Sequence, residues 1–163
     1  MGELKRHYAD AIFQHISHCY GFVETDMGKG LVSELIRNTD DRISQTLKKY
    51  IWEFGVTDSL KAAIEPLLEV WKRELVPSRD LLLHNIVVQQ DSEKIIRLVV
   101  IDGLGNTGLI PLRYLPRSWQ LQKIERKIAN FYERIELLLS QRGGNVLPGY
   151  HGELLHDGVS DVS

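Results

Sequence analysis

The stretch from Ser78 to Gly105 constrains the fold most, because it joins a polar turn, a β-hairpin and a glycine-rich turn. Asp80 and Asn85 lie in the first turn, and Asp102 begins the last one, whose sequence is Asp-Gly-Leu-Gly. Between these turns, two β-branched runs flank a polar turn, which is typical of a hairpin. Two carboxylates and one amide in this arrangement indicate a site for a divalent metal and phosphate.

The spacing within this stretch matches that of protein kinases, in which H-R-D-L-x-x-x-N precedes a hairpin and D-F-G. The chain reproduces R-D-L-x-x-x-N from Arg79 to Asn85, and Asp102 follows the second β-run. Phosphoryl transfer uses such groups to hold Mg²⁺ and to orient the acceptor hydroxyl. Each motif alone is also typical of a salt-bridged turn or an Asp-Gly turn. The two motifs in order across a hairpin favour the kinase-like interpretation.

Composition and charge limit the class of protein. With 163 residues, 43% of them hydrophobic and 26% charged, the chain predicts one folded domain. It contains no apolar run long enough to span a membrane and no secretory signal, so we expect a cytoplasmic protein. The net charge of −2 argues against a nucleic-acid partner. One cysteine, Cys19, excludes an internal disulfide.

The chain before Ser78 shows alternating helical and β patterns. Apolar spacing predicts a helix over residues 3–15, and a glycine-containing loop between the runs 19–25 and 31–36 predicts a hairpin. A short helix over 43–54 is expected to end at Gly55, and Thr57 or Asp58 is expected to cap the next one. The next helix has its apolar stripe over residues 60–75 and contains Pro66. We expect a kink or a restart there, with the segment kept helical by the burial of that stripe.

After the glycine-rich turn, Ser118 is predicted to cap a long helix that ends near Arg142. The polar side of that helix contains Arg126, Lys127 and Arg134, which we expect to be solvated. The final segment, 143–163, lacks periodicity and is predicted to be a mostly disordered tail, so the domain comprises residues 1–142. The core face of the helix is predicted to be Trp119, Ile124, Ile128, Phe131, Ile135 and Leu138.

Several strings resemble the YrbL family of PhoP regulatory network proteins of bacteria, a divergent kinase-like group. They are YGFVETDMGKGLVSELI, ISQTL, RDLLLHNIVV, and VVIDGLG followed by LIPL, and the resemblance covers about residues 3 to 135. It implies an α+β, protein-kinase-like fold. The expected parts are a partial small lobe, formed by a helix and a β-hairpin, and a reduced, mostly helical large lobe.

The resemblance also implies roles for individual residues. Asp80 corresponds to the catalytic acid that orients the acceptor, while Asn85 and Asp102 correspond to ligands of the Mg²⁺ that accompanies ATP. Glu3 corresponds to the structural acid of the small-lobe helix. The expected site-lining residues are Arg79, His84, Gly103 and Gly105.

The chain also departs from the kinase pattern. The glycine-rich loop and the strand lysine should precede Glu3, so we expect an N-terminally truncated chain. Ser78 replaces the usual histidine, and Leu82 stands where many kinases place a lysine that neutralises the transferred phosphate. The metal turn is one residue longer than D-F-G, and no A-P-E segment follows. These features favour a small-molecule substrate over a peptide.

Two functional hypotheses follow, and whether the chain is an enzyme stays open between them. The first is ATP- and Mg²⁺-dependent phosphotransfer to a non-protein substrate, which the missing nucleotide clamp would weaken in this chain. The second is a non-catalytic pseudokinase that acts as a regulatory or binding module. A regulatory protein is then the expected partner, and the shortened small lobe is expected to favour self-association.

Overall fold

Three α-helices and two antiparallel β-hairpins form the described part of the computed structural model, residues 10–105 and 114–143, which confirms the α+β class. The protein-kinase-like arrangement of lobes stays a prediction. Short 3₁₀ helices span Asp10–Gln14 and Leu83–Asn85. The longer elements are β1 (Cys19–Thr25), β2 (Gly28–Ser33), α1 (Leu47–Phe54), α2 (Asp58–Glu74), β3 (Ile86–Asp91), β4 (Lys94–Val100) and α3 (Arg117–Gln141).

The β3–β4 hairpin lies at the centre of the packing. Its strands pair from Ile86 opposite Val100 to Asp91 opposite Lys94. Backbone bridges extend it on both sides, because Ile16 pairs with β4 and Thr46 pairs with β3. One face is buried against the helices, so removal of this apolar surface from water holds the hairpin in place. The buried strand residues of this main core are Ile86, Val88, Ile95, Leu98 and Val100.

Helix α1 is defined at both ends by side-chain contacts. The Thr46 hydroxyl accepts a hydrogen bond from the Lys49 amide, which caps the first turn. Gly55 ends the helix at φ 75°, as predicted. The Arg142 guanidinium donates to the last carbonyls of α1, those of Trp52 and Glu53, at 2.8 and 2.7 Å. Because a cation at a helix C-terminus satisfies unpaired carbonyls, this contact fastens the end of α3 to α1.

Helix α2 is continuous from Asp58 to Glu74 through Pro66, so the segment stays helical as expected. Of the two alternatives predicted at Pro66, the restart does not occur. The Thr57 hydroxyl, rather than Asp58, caps it by accepting from the Leu60 amide. Pro66 is exposed, whereas Trp71 on the apolar stripe is fully buried. Burial of the stripe therefore stabilises the helix across the proline. The buried stripe consists of Leu60, Ile64, Leu67, Leu68, Val70 and Trp71.

Helix α3 begins at Arg117 with Pro116 at its N-cap position, and no side chain caps it, so the prediction of a Ser118 cap is wrong. Trp119 is 61% exposed, because the helix first meets the core one turn later at Ile124. The other predicted core positions are buried, at Ile124, Ile128, Phe131, Ile135 and Leu138.

Smaller differences concern the remaining predictions. The helix predicted over 43–54 begins only at Leu47, and Ile43 instead forms a backbone bridge with Arg37. The first hairpin is present, with a tighter turn than expected at Asp26 and Met27. Of the predicted helix over 3–15, only the 3₁₀ turn from Asp10 is described. Most of the predicted tail, 144–163, lies outside the described residues.

None of the helices in the described ranges is both long and apolar enough to cross a membrane.

Candidate functional site

The polar turn before β3 and the glycine-rich turn after β4 lie side by side, because their backbones pair. The Arg79 amide donates to the Gly103 carbonyl at 2.7 Å, and the Gly105 amide donates to the Pro77 carbonyl at 2.9 Å. The Ile101 amide donates to the Asn85 carbonyl at 2.9 Å. These bonds place the segment that contains Asp80 and Asn85 beside the segment that contains Asp102.

Gly103 lies at the closest approach of the two turns. Its φ is 83°, a conformation that L side chains rarely adopt. A Cβ atom there would lie 3.3 Å from the Asn85 Nδ2 atom and 3.5 Å from the Asp80 carbonyl. A glycine at this position lets the glycine-rich turn approach Asp80 and Asn85 closely. The site-lining role of Gly103 stays a prediction.

Asp102 is exposed, and its Oδ1 atom accepts a hydrogen bond from the Gly103 amide at 2.6 Å. Asn85 is half-buried at the end of the 3₁₀ turn. A carboxylate and an amide oxygen are the donors that Mg²⁺ prefers, so the residues present fit this ion. Within residues 10–105 and 114–143, no group of three His, Cys, Asp or Glu side chains could hold a metal. Phosphate oxygens and water would complete the coordination, as Mg²⁺ sites at nucleotides commonly require.

Asp80 forms an ion pair with α3. Its Oδ2 atom accepts a hydrogen bond from Arg134 Nη2 at 2.8 Å, and both side chains are about two-thirds buried. The Oδ1 atom of Asp80 accepts no hydrogen bond from any residue that the structure describes. One oxygen of the predicted catalytic acid is thus paired with a guanidinium.

Lys127, also on α3, donates to the Ser78 carbonyl in the same turn. Burial lowers the pKa of Lys127, the negative charge of Asp80 opposes that shift, and the cations Lys123 and Arg126 add to it. Ser78 also contacts α2, because its hydroxyl accepts a hydrogen bond from the indole of Trp71 at 3.2 Å. The polar turn is therefore fixed by α2, by α3 and by the glycine-rich turn.

The prediction that Arg126, Lys127 and Arg134 form a solvated face is wrong for two of them, because Lys127 and Arg134 contact the site. A sequence signal was available. Lys127 and Arg134 are seven residues apart and share the helical spacing of the buried Phe131 and Leu138. Charged residues that fall in register with an apolar stripe lie at its border and reach neighbouring elements.

The other predicted site residues are distributed around the two turns. Arg79 is exposed and contributes its backbone amide, and Gly105, at φ 119°, contributes its amide to Pro77. His84 is half-buried next to Asn85 in the 3₁₀ turn. Glu3 lies outside the described residues. Asp80, Asn85 and Asp102 thus lie at adjoining turns, with Lys127 and Arg134 as unpredicted neighbours.

An open groove lies elsewhere, between α1 and the β3–β4 turn. Its lining includes Lys49, Glu53 and Gln90. This groove adjoins the end of β3 near Asp91, whereas Asn85 precedes the other end of that strand. The groove therefore does not belong to the site described above.

A family model described as "PhoP regulatory network protein YrbL" matches residues 3–136. A protein of Escherichia coli (strain K12), described as "Uncharacterized protein YrbL", is 30% identical over 129 residues, which are 77% of this chain and 61% of that protein. The protein of the same description from Shigella flexneri matches to the same extent. The chain thus spans 61% of the length of these curated relatives. No solved structure matches the chain.

Proposed function

We propose that this chain, which belongs to the YrbL family of PhoP regulatory network proteins as its sequence predicted, provides a kinase-like site for Mg²⁺ and ATP. The single observation behind the proposal is the backbone pairing of the polar turn with the glycine-rich turn, from Arg79 to Gly103 and from Gly105 to Pro77. Through this pairing, the R-D-L-x-x-x-N motif and the Asp-Gly-Leu-Gly turn lie next to each other. The reaction class is phosphoryl transfer to the hydroxyl of a small molecule.

Each residue has a role in this proposal. Asn85 and Asp102 hold the metal, which neutralises the phosphate charge when bound. Asp80 orients the acceptor hydroxyl through Oδ1 and receives its proton. The acceptor oxygen forms the new bond to the γ-phosphorus as the bond to the β,γ-bridging oxygen breaks, and ADP leaves. Gly103 keeps the two turns close enough for these groups to act on one ligand.

A second candidate function is a non-catalytic binding or regulatory module. The observation that favours it is the ion pair between Arg134 and Asp80, which occupies one oxygen of the acid that the reaction needs. While the pair persists, Arg134 occupies the Oδ2 atom of Asp80, and the carboxylate is oriented toward α3. Such a module would bind Mg²⁺ and ATP through the same turns and would contact a regulatory protein instead of transferring phosphate.

A thermal-shift titration with ATP at fixed Mg²⁺ tests the shared premise. Ligand bound to the native state raises its stability with concentration, so the melting temperature of the parent protein should rise with ATP only when Mg²⁺ is present. Asp102→Ala should abolish that rise, whereas Asp91→Ala, at the far end of β3, should retain it. A parent protein that shows no metal-dependent shift would contradict both candidate functions for this chain.

Turnover separates the two candidates. Release of ADP that requires Asp80 and a small-molecule acceptor would establish phosphotransfer. A metal-dependent shift in the parent protein without turnover would favour the binding module.

A further inference from the structure

The side of α3 that faces the polar turn holds more positive charge than that turn neutralises. Lys127 and Arg134 both contact the turn, and Asp80 is the one carboxylate that pairs with them among the described residues. At these contacts, two cationic side chains of α3 meet one carboxylate of the polar turn.

Arg134 is also short of hydrogen-bond acceptors. A guanidinium has five N–H donors, and in the described part of the chain a single bond, from Nη2 to Asp80, is made. Its Nη1 atom is buried and has no partner there. A buried cationic donor without an acceptor is costly, so the site favours any ligand that presents anionic oxygens.

Leu82 supplies no positive charge to a phosphate bound at the polar turn. It occupies the position where many kinases place the lysine that neutralises the transferred phosphate, and a leucine cannot do so. Lys127 and Arg134 lie two helical turns apart, on the same side of α3 and next to Ser78 and Asp80. They are placed to reach a phosphate group that lies against the polar turn.

We propose that Lys127 and Arg134 form a phosphate-binding site, in which Arg134 is shared between Asp80 and the phosphate. The proposal rests on the function proposed above and adds the residues that bind the anion. When a phosphate occupies the site, it accepts the N–H donors of Arg134 that lack partners, and the hold of Arg134 on Asp80 weakens. Binding of the phosphate thus prepares Asp80 for the acceptor hydroxyl.

A purely structural ion pair makes a different prediction. If Arg134 served only to fasten α3 to the polar turn, Asp80→Asn would leave phosphate affinity unchanged or reduce it. If Arg134 is shared, Asp80→Asn releases the guanidinium and removes a repelling carboxylate, so phosphate binds more tightly.

Calorimetric titration of the full chain with inorganic pyrophosphate, in the presence of EDTA, tests the proposal. Because hydrogen bonds to charged groups are strong, Arg134→Gln should weaken binding by roughly tenfold or more. The matched control is Arg126→Gln, which removes the same charge from an exposed position of α3 and should change affinity by less than about twofold. Asp80→Asn should tighten binding by severalfold.

Three results would overturn the proposal: no binding of pyrophosphate to the parent protein, equal losses in Arg134→Gln and Arg126→Gln, or no gain in Asp80→Asn. Should Arg134→Gln fail to fold, Arg134→Lys keeps the charge but loses the paired donors, and it should still bind several times more weakly than the parent.

The titration excludes divalent metal, so it is independent of Asn85 and Asp102. Asp102→Ala should retain pyrophosphate binding even though it loses the Mg²⁺-dependent shift with ATP. Failure of the phosphate site and failure of the proposed metal site are therefore distinguishable.

Discussion

The two hairpins have similar lengths and β-rich sequences, yet their environments are opposite. In β3–β4, Ile86 and Leu98 are fully buried beneath the helices. In β1–β2, Phe22 is 75% exposed and Met27 at the turn is 93% exposed. An isolated two-stranded hairpin is marginal in water, so the surroundings of a hairpin decide how much it contributes to the folded state. Here one hairpin organises the core and the site, and the other projects from it.

The difference has a local basis in each sequence. The strands of β3–β4 contain no glycine, and both outer edges have backbone partners, at Ile16 and Thr46. The strands of β1–β2 contain Gly21, Gly28 and Gly30, and their pairing is irregular between Cys19 and Gly21. Glycine lacks a side chain to pack and weakens a strand. Among the described residues, the apolar side chains of β1–β2 therefore add little to the core.

Replacement of one apolar residue in each hairpin gives the largest expected contrast. Leu98→Ala leaves a cavity in a fully buried position and should lower the free energy of unfolding by about 2–5 kcal/mol. Phe22→Ala should change it by about 0.5 kcal/mol or less, because its ring is already in water. Urea denaturation at constant m-value measures both. A loss for Phe22→Ala similar to that for Leu98→Ala would show that the first hairpin is packed in solution.

A glycine substitution in each region sharpens the contrast at the site. Gly103→Ala combines a positive φ with close approaches to Asn85 and Asp80, and it should cost about 1–3 kcal/mol. Gly28→Ala also forces a positive φ, but its added Cβ meets no atom within 4 Å. Both variants should lose stability in urea denaturation.

The ATP response distinguishes these two glycine variants. Gly103→Ala alone should also lose the Mg²⁺-dependent thermal shift with ATP, because its Cβ displaces the Asn85 amide. Loss of that shift in Gly28→Ala would contradict a site confined to the two paired turns.

Local chemistry explains which parts of the fold the sequence predicted. The hairpins, the Gly55 stop and the Thr57 cap depend on neighbouring residues, and all three are found in the structure. The proximity of the two turns followed from motif order, because a hairpin between them returns the chain to its starting point. The family assignment depended on extended strings of residues and is confirmed.

Long-range contacts explain the errors. Arg134 is 54 residues from Asp80 in sequence, and nothing near either residue indicates that they pair. The exposure of Trp119 depends on where α3 meets the core, and the start of α3 depends on Pro116. The continuation of α2 through Pro66 is not among these errors, because burial of the apolar stripe was expected to keep the segment helical. The contact of Arg134 and the exposure of Trp119 therefore depend on tertiary packing, whereas the start of α3 depends on a local proline.

A pH titration of stability probes the buried hairpin with a smaller effect. His15 is buried, and its Nδ1 atom lies 2.9 Å from the carbonyl of Leu98 in β4. Burial lowers the pKa of His15; the hydrogen bond to Leu98 opposes the shift, and the charge of Arg97 adds to it. The unfolded chain, with its ordinary pKa near 6.5, therefore binds the proton more readily. The contribution of neutral His15 to the free energy of unfolding is fully present above about pH 6.5. It is lost as the pH falls through the lowered pKa of His15 in the folded protein.

Melting temperatures across the range from about pH 7.5 to pH 5 measure this contribution. His15→Asn retains an N–H donor for Leu98 but does not titrate, so its melting temperature should fall less on acidification than that of the parent protein. Equal slopes for the two proteins would show that His15 is not the source of the pH dependence.

The smallest effect on folding is expected from two polar substitutions on the exposed hairpin. Phe22 and Leu31 lie opposite each other across β1–β2, and both are largely exposed. Phe22→Ser combined with Leu31→Ser should change the free energy of unfolding by about 0.5 kcal/mol or less.

The same change removes an apolar patch, so it should reduce the self-association that we expect of the parent protein in concentrated solution. Sedimentation velocity over a concentration series measures this. The control is Glu69→Ser with Lys72→Ser, two exposed positions of α2. A parent protein that stays monomeric would show that the exposed hairpin does not associate with a second copy.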